Sequence, residues 1–359
     1  MQDGYGYIIS FIKMRAYIIS LNFNPGHVSH MVASYKQCEE LGYEARMYID
    51  KRFIGFIPEN CRYIVYGQDK PVESTFSIFV FPSVRNLKEI LWLKKNTSSK
   101  IIYIFHEPLD KYSTYRKAGF SHLKMLKLWV INMVNALTVK WSDIVLLPSE
   151  KAVSYYKSNS LYRNDNYHYL PLLYDDEQTE DLKCTERKYF SYIGTVASDH
   201  SFNEFVDFVR QAIQKDGLSG FRFLIATKSK VDHKVMSPLI ESGRLDLYDG
   251  IPLTDRQINV FYASSYAVWN AYERTTQSGV LAKAFMFGTP VVFLEKNISE
   301  FVHDGQEGIS VKDNTDYNAI KTAIVKIRDS FDYYSGMCRN RFLQSFYYQN
   351  YNGMMENLF

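Results

Sequence analysis

The chain has 359 residues, 46% of them hydrophobic and 23% charged, and a net charge of only +3. That length exceeds what one core usually supports, so two domains are expected. The composition is that of an ordinary globular protein, and the near-neutral balance excludes a nucleic-acid binder driven by bulk electrostatics.

In chain order, "MQDGYGYIISFIK" (1–13) lacks the basic start of a secretory signal and reads as an extension upstream of the first strand. That strand is "RAYIISLNF" (15–23), a β-branched and aromatic run suited to a buried parallel position. A turn at "NPGH" (24–27) leads into a helix over 28–42 that ends at Gly42. Strands follow at 44–49, 76–82 and 100–108, then a basic segment at 111–141, and "SDIVLLPS" (142–149) closes the set. The pattern pauses at "YLPLLYDD" (169–176) and the charged run 177–188, where a domain boundary is expected. A second series has strands at 189–197, 221–227, 245–251, 266–272 and 289–295, with helices at 202–217 and 255–265. The tail from Asp316 is mostly helical. Strands alternating with helices predict an α/β fold of parallel sheets with right-handed crossovers. Two such doubly wound, Rossmann-like units put a ligand cleft between them, at the carboxyl ends of the strands.

The four cysteines, Cys38, Cys61, Cys184 and Cys338, form no CxxC pair. That speaks against a disulfide framework or a zinc site and fits a reducing cytoplasm. The longest apolar run, "LWVINMVNAL" (128–137), is shorter than the 18 or so residues that span a bilayer. Segment 111–141 interleaves six basic residues with Phe120, Leu123, Met125, Leu126, Leu128 and Trp129, and no acidic residue occurs from Lys111 to Ser142. It reads equally as a core helix with solvated lysines or as a surface for anionic lipid.

The stretch "NAYERTTQSGVLAKAFMFGTPVVFLEK" (270–296) carries the strongest chemical signal. Thr275, Thr276, Gln277, Ser278 and Gly279 stand directly before a helix-like run, the usual way to present backbone N–H groups to an anion. The N–H groups of Ser278, Gly279 and Val280 would cap that anion, with Gly279 permitting close approach. Lys283, one turn further on the same face, would reach a phosphate or ribose. An ordinary capped helix with a surface lysine has the same letters. Gly194 and Thr195 form a second glycine turn after a strand, and His106 and Glu273 stand at or just past strand ends. Asn24, Gly26 and His27 line the first loop, which a plain turn would also explain.

Taken in order, "NFNPGHVSHMVASYKQCEELGYEARMY", "FHEP", "SDIVLLPSEKAVSYY", "SYIGTVASDHSFNEFVDFV" and the 270–296 stretch resemble the GT-B glycosyltransferases. The closest resemblance is to retaining enzymes of glycosyltransferase family 4 (glycosyl transferases group 1). It implies an acceptor-binding domain at 14–172 and a donor-binding domain at 173–338. A helix at 339–359 would cross back to the first domain. The implied reaction moves a sugar from a nucleotide-sugar donor, UDP favoured, to a hydroxyl of a glycan or lipid-linked oligosaccharide. The setting would be bacterial surface polysaccharide (capsule or O-antigen) biosynthesis, in the cytoplasm or peripherally at the inner face of the membrane. No metal and no further cofactor is implied.

The implied catalytic residues are His106, Glu273 and Lys283. Donor binding falls to Gly194, Thr195, Lys228, Arg274, Thr276, Gln277, Ser278, Gly279 and Val280, and acceptor binding to Asn24, Gly26, His27 and Arg116. Aligned back from "GTPVV", the family's two glutamates fall on Thr275 and Lys283, with Glu273 just upstream. The family's arginine and lysine after the first glycine of the second domain fall on Thr195 and His200. Lys228, Arg274 and Lys283 are then the cations left for the diphosphate. A GT-B nucleotide-sugar epimerase and a catalytically inactive GT-B partner subunit stay open as alternatives.

Overall fold

The computed structural model describes residues 14–359 apart from 81, 82, 118, 184, 216 and 217; the expected extension at 1–13, the ends of two predicted elements and Cys184 lie outside the described residues. The first domain runs β1 (Arg15–Ser20), α1 (Val28–Glu40), β2 (Glu44–Ile49), β3 (Tyr63–Val65), β4 (Phe76–Phe79) and α2 (Val84–Asn96). It continues with β5 (Lys100–Ile104), α3 (Tyr112–Lys117), α4 (His122–Trp141), β6 (Ile144–Leu147), α5 (Glu150–Ser158) and β7 (Tyr167–Tyr169). The seven strands pair in parallel in the order β3-β2-β1-β4-β5-β6-β7. Central strands covered by helices on both faces read as continuous apolar runs, which is why β1 and β4–β6 were legible while the short edge strands β3 and β7 were not.

The second domain runs α6 (Glu180–Lys183), β8 (Tyr189–Ile193), α7 (Phe202–Gln214), β9 (Arg222–Ala226), α8 (His233–Glu241), β10 (Leu245–Tyr248) and α9 (Asp255–Ala263). It continues with β11 (Ser265–Asn270), α10 (Gly279–Met286), β12 (Val291–Leu294), β13 (Gly308–Val311), α11 (Tyr317–Asp329), α12 (Phe331–Ser345) and α13 (Asn352–Leu358). Its six strands are parallel in the order β10-β9-β8-β11-β12-β13. Local chemistry explains the helices. On α7, Phe202, Phe205, Val206, Val209 and Ala212 recur at helical spacing and are all buried. On α9, Thr254 and Gln257 close a reciprocal capping box. This two-sheet arrangement is the GT-B fold, with the strand order reversing between β1 and β4 in one sheet and between β8 and β11 in the other.

The linker and the C-terminus tie the domains together. The Tyr174 backbone N–H donates to Phe346 O at 2.8 Å, and the Tyr348 N–H donates back to Tyr174 O at 3.1 Å. Gln37 on α1 donates to Tyr348 O at 3.1 Å. The chain then returns over the first domain, where Phe359 stacks on Phe76 at 3.7 Å between centroids and meets Tyr43 edge-on. The Lys100 ammonium donates to Leu358 O at 2.7 Å. Replacing Phe359 with alanine removes both ring contacts, and the half-buried site should lose about 2 kcal/mol of stability. Urea unfolding reads this directly; an unchanged midpoint would show that the C-terminal ring adds nothing to the first domain.

Candidate functional site

A cleft of about 340 Å³ opens between the domains, at the carboxyl ends of strands flanking both order reversals. Asn24, Gly26, His27, His30, His106 and Glu107 form the first-domain wall. Gly194, Thr195, Lys228, Pro252, Leu253, Asp255 and the start of α10 form the other, with Tyr174 of the linker between them.

The histidine cluster arises from local spacing plus one tertiary contact. His27 ends the turn before α1, His30 follows one turn later, and β5 delivers His106. Their rings lie 5.1 to 5.8 Å apart. Burial drives the His30 ring down to about 3. Burial, and then the neighbouring histidines, put His27 and His106 well below the ordinary histidine value. All three are therefore neutral at physiological pH. The Asn24 amide nitrogen lies 2.8 Å from His27 Nε2, so an Asn24 N–H donates to a ring nitrogen that accepts. Asn24 Oδ1 accepts from Lys228 at 2.8 Å across the cleft. Among the described residues no group of three His, Cys, Asp or Glu side chains could hold a metal ion.

At α10 the Ser278 hydroxyl caps the helix by accepting the Val280 N–H at 3.2 Å. Val280 thus has its N–H engaged, contrary to expectation, and Gly279 stands at the helix mouth. A Cβ on Gly279 would come within 3.1 Å of the Tyr174 hydroxyl, so glycine is what lets Tyr174 of the linker stand close against the start of α10. Gly194 adopts a φ of +153°, which side chains disfavour.

Lys283 differs most from expectation. It is 6% exposed, and its ammonium donates to Glu177 at 2.7 Å and to Asn259 Oδ1 at 3.1 Å, with Asp255 at 3.9 Å. Burial opposes ionisation of Glu177, but Lys283, Asn259 and Ser29 outweigh it and hold the carboxyl below its ordinary value. Asp255, facing the same lysine less closely, is pushed up by burial. Lys283 is thus the centre of a buried ion network, because a buried ammonium needs a carboxylate partner.

Other expected residues divide. Asn24, Gly26, His27, His106, Gly194, Thr195, Lys228, Arg274, Gln277, Ser278, Gly279, Val280 and Lys283 all line the cleft. Arg274 lies 4.7 Å over the Tyr115 ring and 3.5 and 3.7 Å from Glu107 and Asp110, which joins it to the first domain. Glu273 is turned away, its carboxylate accepting from Asn314 at 3.1 Å and pairing with Lys296. Thr276 donates to His106 O at 3.2 Å and lines an adjacent cavity of about 430 Å³ behind the 275–278 loop. Arg116 is exposed on α3 and donates to Phe120 O, away from the cleft. The sequence reading missed His30, Tyr174, Asp255 and Glu177. Only His30 carried a signal, the one-turn spacing in "HVSH"; Glu177 lies in a charged linker with no pattern.

Residues 187–330 match the family model described as Glycosyl transferases group 1. No curated protein sequence is similar enough to match. Among solved structures, sucrose-phosphate synthase from Thermosynechococcus elongatus superposes with a TM-score of 0.72 at 12% identity, covering 96% of this chain and 98% of that one. Anabaena HepE in complex with UDP and glucose gives 0.67 at 11% identity, covering 96% and 99%. A glycosyltransferase from Rickettsia africae gives 0.66 at 11% identity, covering 97% of each chain. At such identities the likeness is one of fold.

The neutral histidines also set a pH dependence. The His30 ring titrates in the fold at about 3, whereas an unfolded histidine protonates near 6.5. Between those values the unfolded chain binds more protons, so this contribution is complete above about pH 6.5 and is lost as pH falls. His30→Asn should therefore recover about 2 kcal/mol of the stability that the wild type loses on going to about pH 5. Urea unfolding across that range checks it; parallel pH profiles would mean that burial does not hold His30 neutral.

Proposed function

We propose that this chain, a GT-B protein with a glycosyl transferases group 1 domain over residues 187–330, is a glycosyltransferase. Its donor is a nucleotide-sugar, UDP-linked in this reading, and its acceptor a hydroxyl of a glycan or lipid-linked oligosaccharide. The setting is bacterial surface polysaccharide synthesis, at the inner face of the membrane, with retention at the transferred carbon. One observation carries the reading: a single cleft joins the switch points of both sheets to the N-terminus of α10, where Ser278 and Gly279 line it.

Each part of a nucleotide-sugar has a matching wall. The base rests on Pro252, Leu253 and Ile258, and the ribose hydroxyls face Asp255. The diphosphate sits at Ser278 and Gly279, with Gly194 and Thr195 opposite. Glycosyl transfer builds negative charge on the leaving diphosphate, so donors aimed at it matter more than an acid. The α10 dipole supplies part of that stabilisation. Lys228 supplies more by exchanging Asn24 for a phosphate oxygen, and Arg274 lies at the sugar end. The neutral His106 ring donates or accepts a hydrogen bond to a sugar or acceptor hydroxyl. Lys283 acts here through Glu177 and Asp255, as a positioning residue. Structures of Anabaena HepE in complex with UDP and glucose and with UDP-glucose support the donor class by analogy of fold.

Thermal-shift screening with UDP, GDP, ADP, CMP, dTDP and their common sugars tests the reading. The uridine ligands should raise the melting temperature, with about 2.7 kcal/mol of stabilisation at a hundredfold excess over Kd. Gly279→Val, whose side chain fills the helix mouth, should abolish the shift. The absence of a shift with every nucleotide would sink the proposal.

A further inference from the structure

We infer that the outward face of α4 docks on an anionic lipid bilayer. The inference rests on the functional reading only for the lipid-linked acceptor that gives such docking a use.

The helix is built inside out. A surface helix normally buries its apolar stripe and shows its polar one. On α4 the inward positions include Asn132, Asn135 and Thr138, at 2%, 5% and 0% exposure. The outward positions are Leu123, Leu126, Val130, Met133, Leu137 and Trp141, exposed by 37% to 65%. Their spacing of three and four residues places them in one stripe down the helix. One tertiary hydrogen bond and the buried apolar side chains keep the helix from rotating to hide that stripe. Asn132 accepts the Tyr162 hydroxyl of the first domain, and Met125 and Val139 are buried on the same inward side. Contiguous exposed apolar surface of this kind marks an interaction site.

Charge selects the occupant. From Lys111 to Ser142 there are six basic residues and no acidic one. Lys124, Lys127 and Lys140 are exposed beside the stripe, as is Trp129 at 54%. Basic groups flanking an apolar stripe complement anionic headgroups, and tryptophan suits the interface. A second copy fits worse, since a two-fold axis would set each basic flank against another. Among the described residues no helix is long and apolar enough to cross a membrane, so α4 lies in the interface plane. The docking face is joined to the cleft through a short path. Met125 of α4 packs with Phe120 and Tyr115, and Tyr115 supports Arg274 in the cleft.

Flotation of the full chain with vesicles tests the proposal. Phosphatidylcholine vesicles containing about one-third phosphatidylglycerol should retain the protein, and pure phosphatidylcholine should retain roughly tenfold less. Leu126→Ser, Val130→Ser and Leu137→Ser together should cut retention at least roughly tenfold. Their positions are solvent-exposed, and an unchanged melting temperature would confirm that the variant folds. Failure of the wild type to float with the anionic vesicles overturns the proposal. So does a concentration-dependent dimer, seen by sedimentation, that the same substitutions abolish. Neither readout uses a nucleotide, so a failed donor site and a failed docking surface give different results.

Discussion

The Lys283 ammonium is buried on α10, and a charge in that position persists only with a carboxylate beside it. Glu177 supplies one at 2.7 Å, and because Glu177 belongs to the linker, the pair fixes where the chain crosses between domains. Asn259 on α9 donates to the same carboxylate at 2.7 Å, so α9, α10 and the linker meet at one point. Ser29 on α1 reaches this carboxylate too, which extends the network into the first domain. Three further contacts repeat the theme: Gln277 accepts from Leu172 N–H, Lys36 pairs with Asp175, and Arg339 pairs with Asp176. These polar ties hold the linker to both domains, and the C-terminal segment adds a further link through Tyr174, Gln37 and Lys100.

That arrangement leaves the cleft electrostatically quiet. The three histidines are uncharged, Lys283 is neutralised, and Arg274 faces Glu107 and Asp110. What remains for an anionic ligand is the start of α10, the two glycine positions and Lys228, whose partner Asn24 is a neutral amide. An amide is more readily exchanged for a phosphate oxygen than a carboxylate would be, since no opposite charge must be separated. Lys228 is therefore better suited than Lys283 to meet an incoming phosphate. The choice of cation is decided by what each lysine already touches.

The inverted helix α4 shows the same economy of constraint on the outer surface. Its inner face is held in the first domain by the Asn132–Tyr162 hydrogen bond and by the buried Met125 and Val139, and its outer apolar face is exposed. Through Tyr115 it also supports Arg274 at the cleft, so the exposed face of α4 and the cleft share a short structural path.

The sequence by itself determined the class of fold. Buried parallel strands need unbroken apolar runs, and "RAYIIS", "KIIYI" and "YFSYI" announce themselves. It also located the mouth of α10, because a capping serine and a glycine before a helical run are local chemistry, and most of the residues it singled out for the site line the cleft. Tertiary structure alone decided the rest. Whether Lys283 is a free cation or a buried partner depends on Glu177, 106 residues away in sequence. Whether Glu273 faces ligand or Asn314 depends on a side-chain direction that no spacing encodes. The apolar residues of α4 read the same from sequence whether they face the core or the outside. Only packing chooses, through the Asn132–Tyr162 contact and the buried Met125 and Val139 on the inward side. Periodicity reports which groups share a face, whereas charge pairing across the chain and the direction of that face are set by contacts between distant segments.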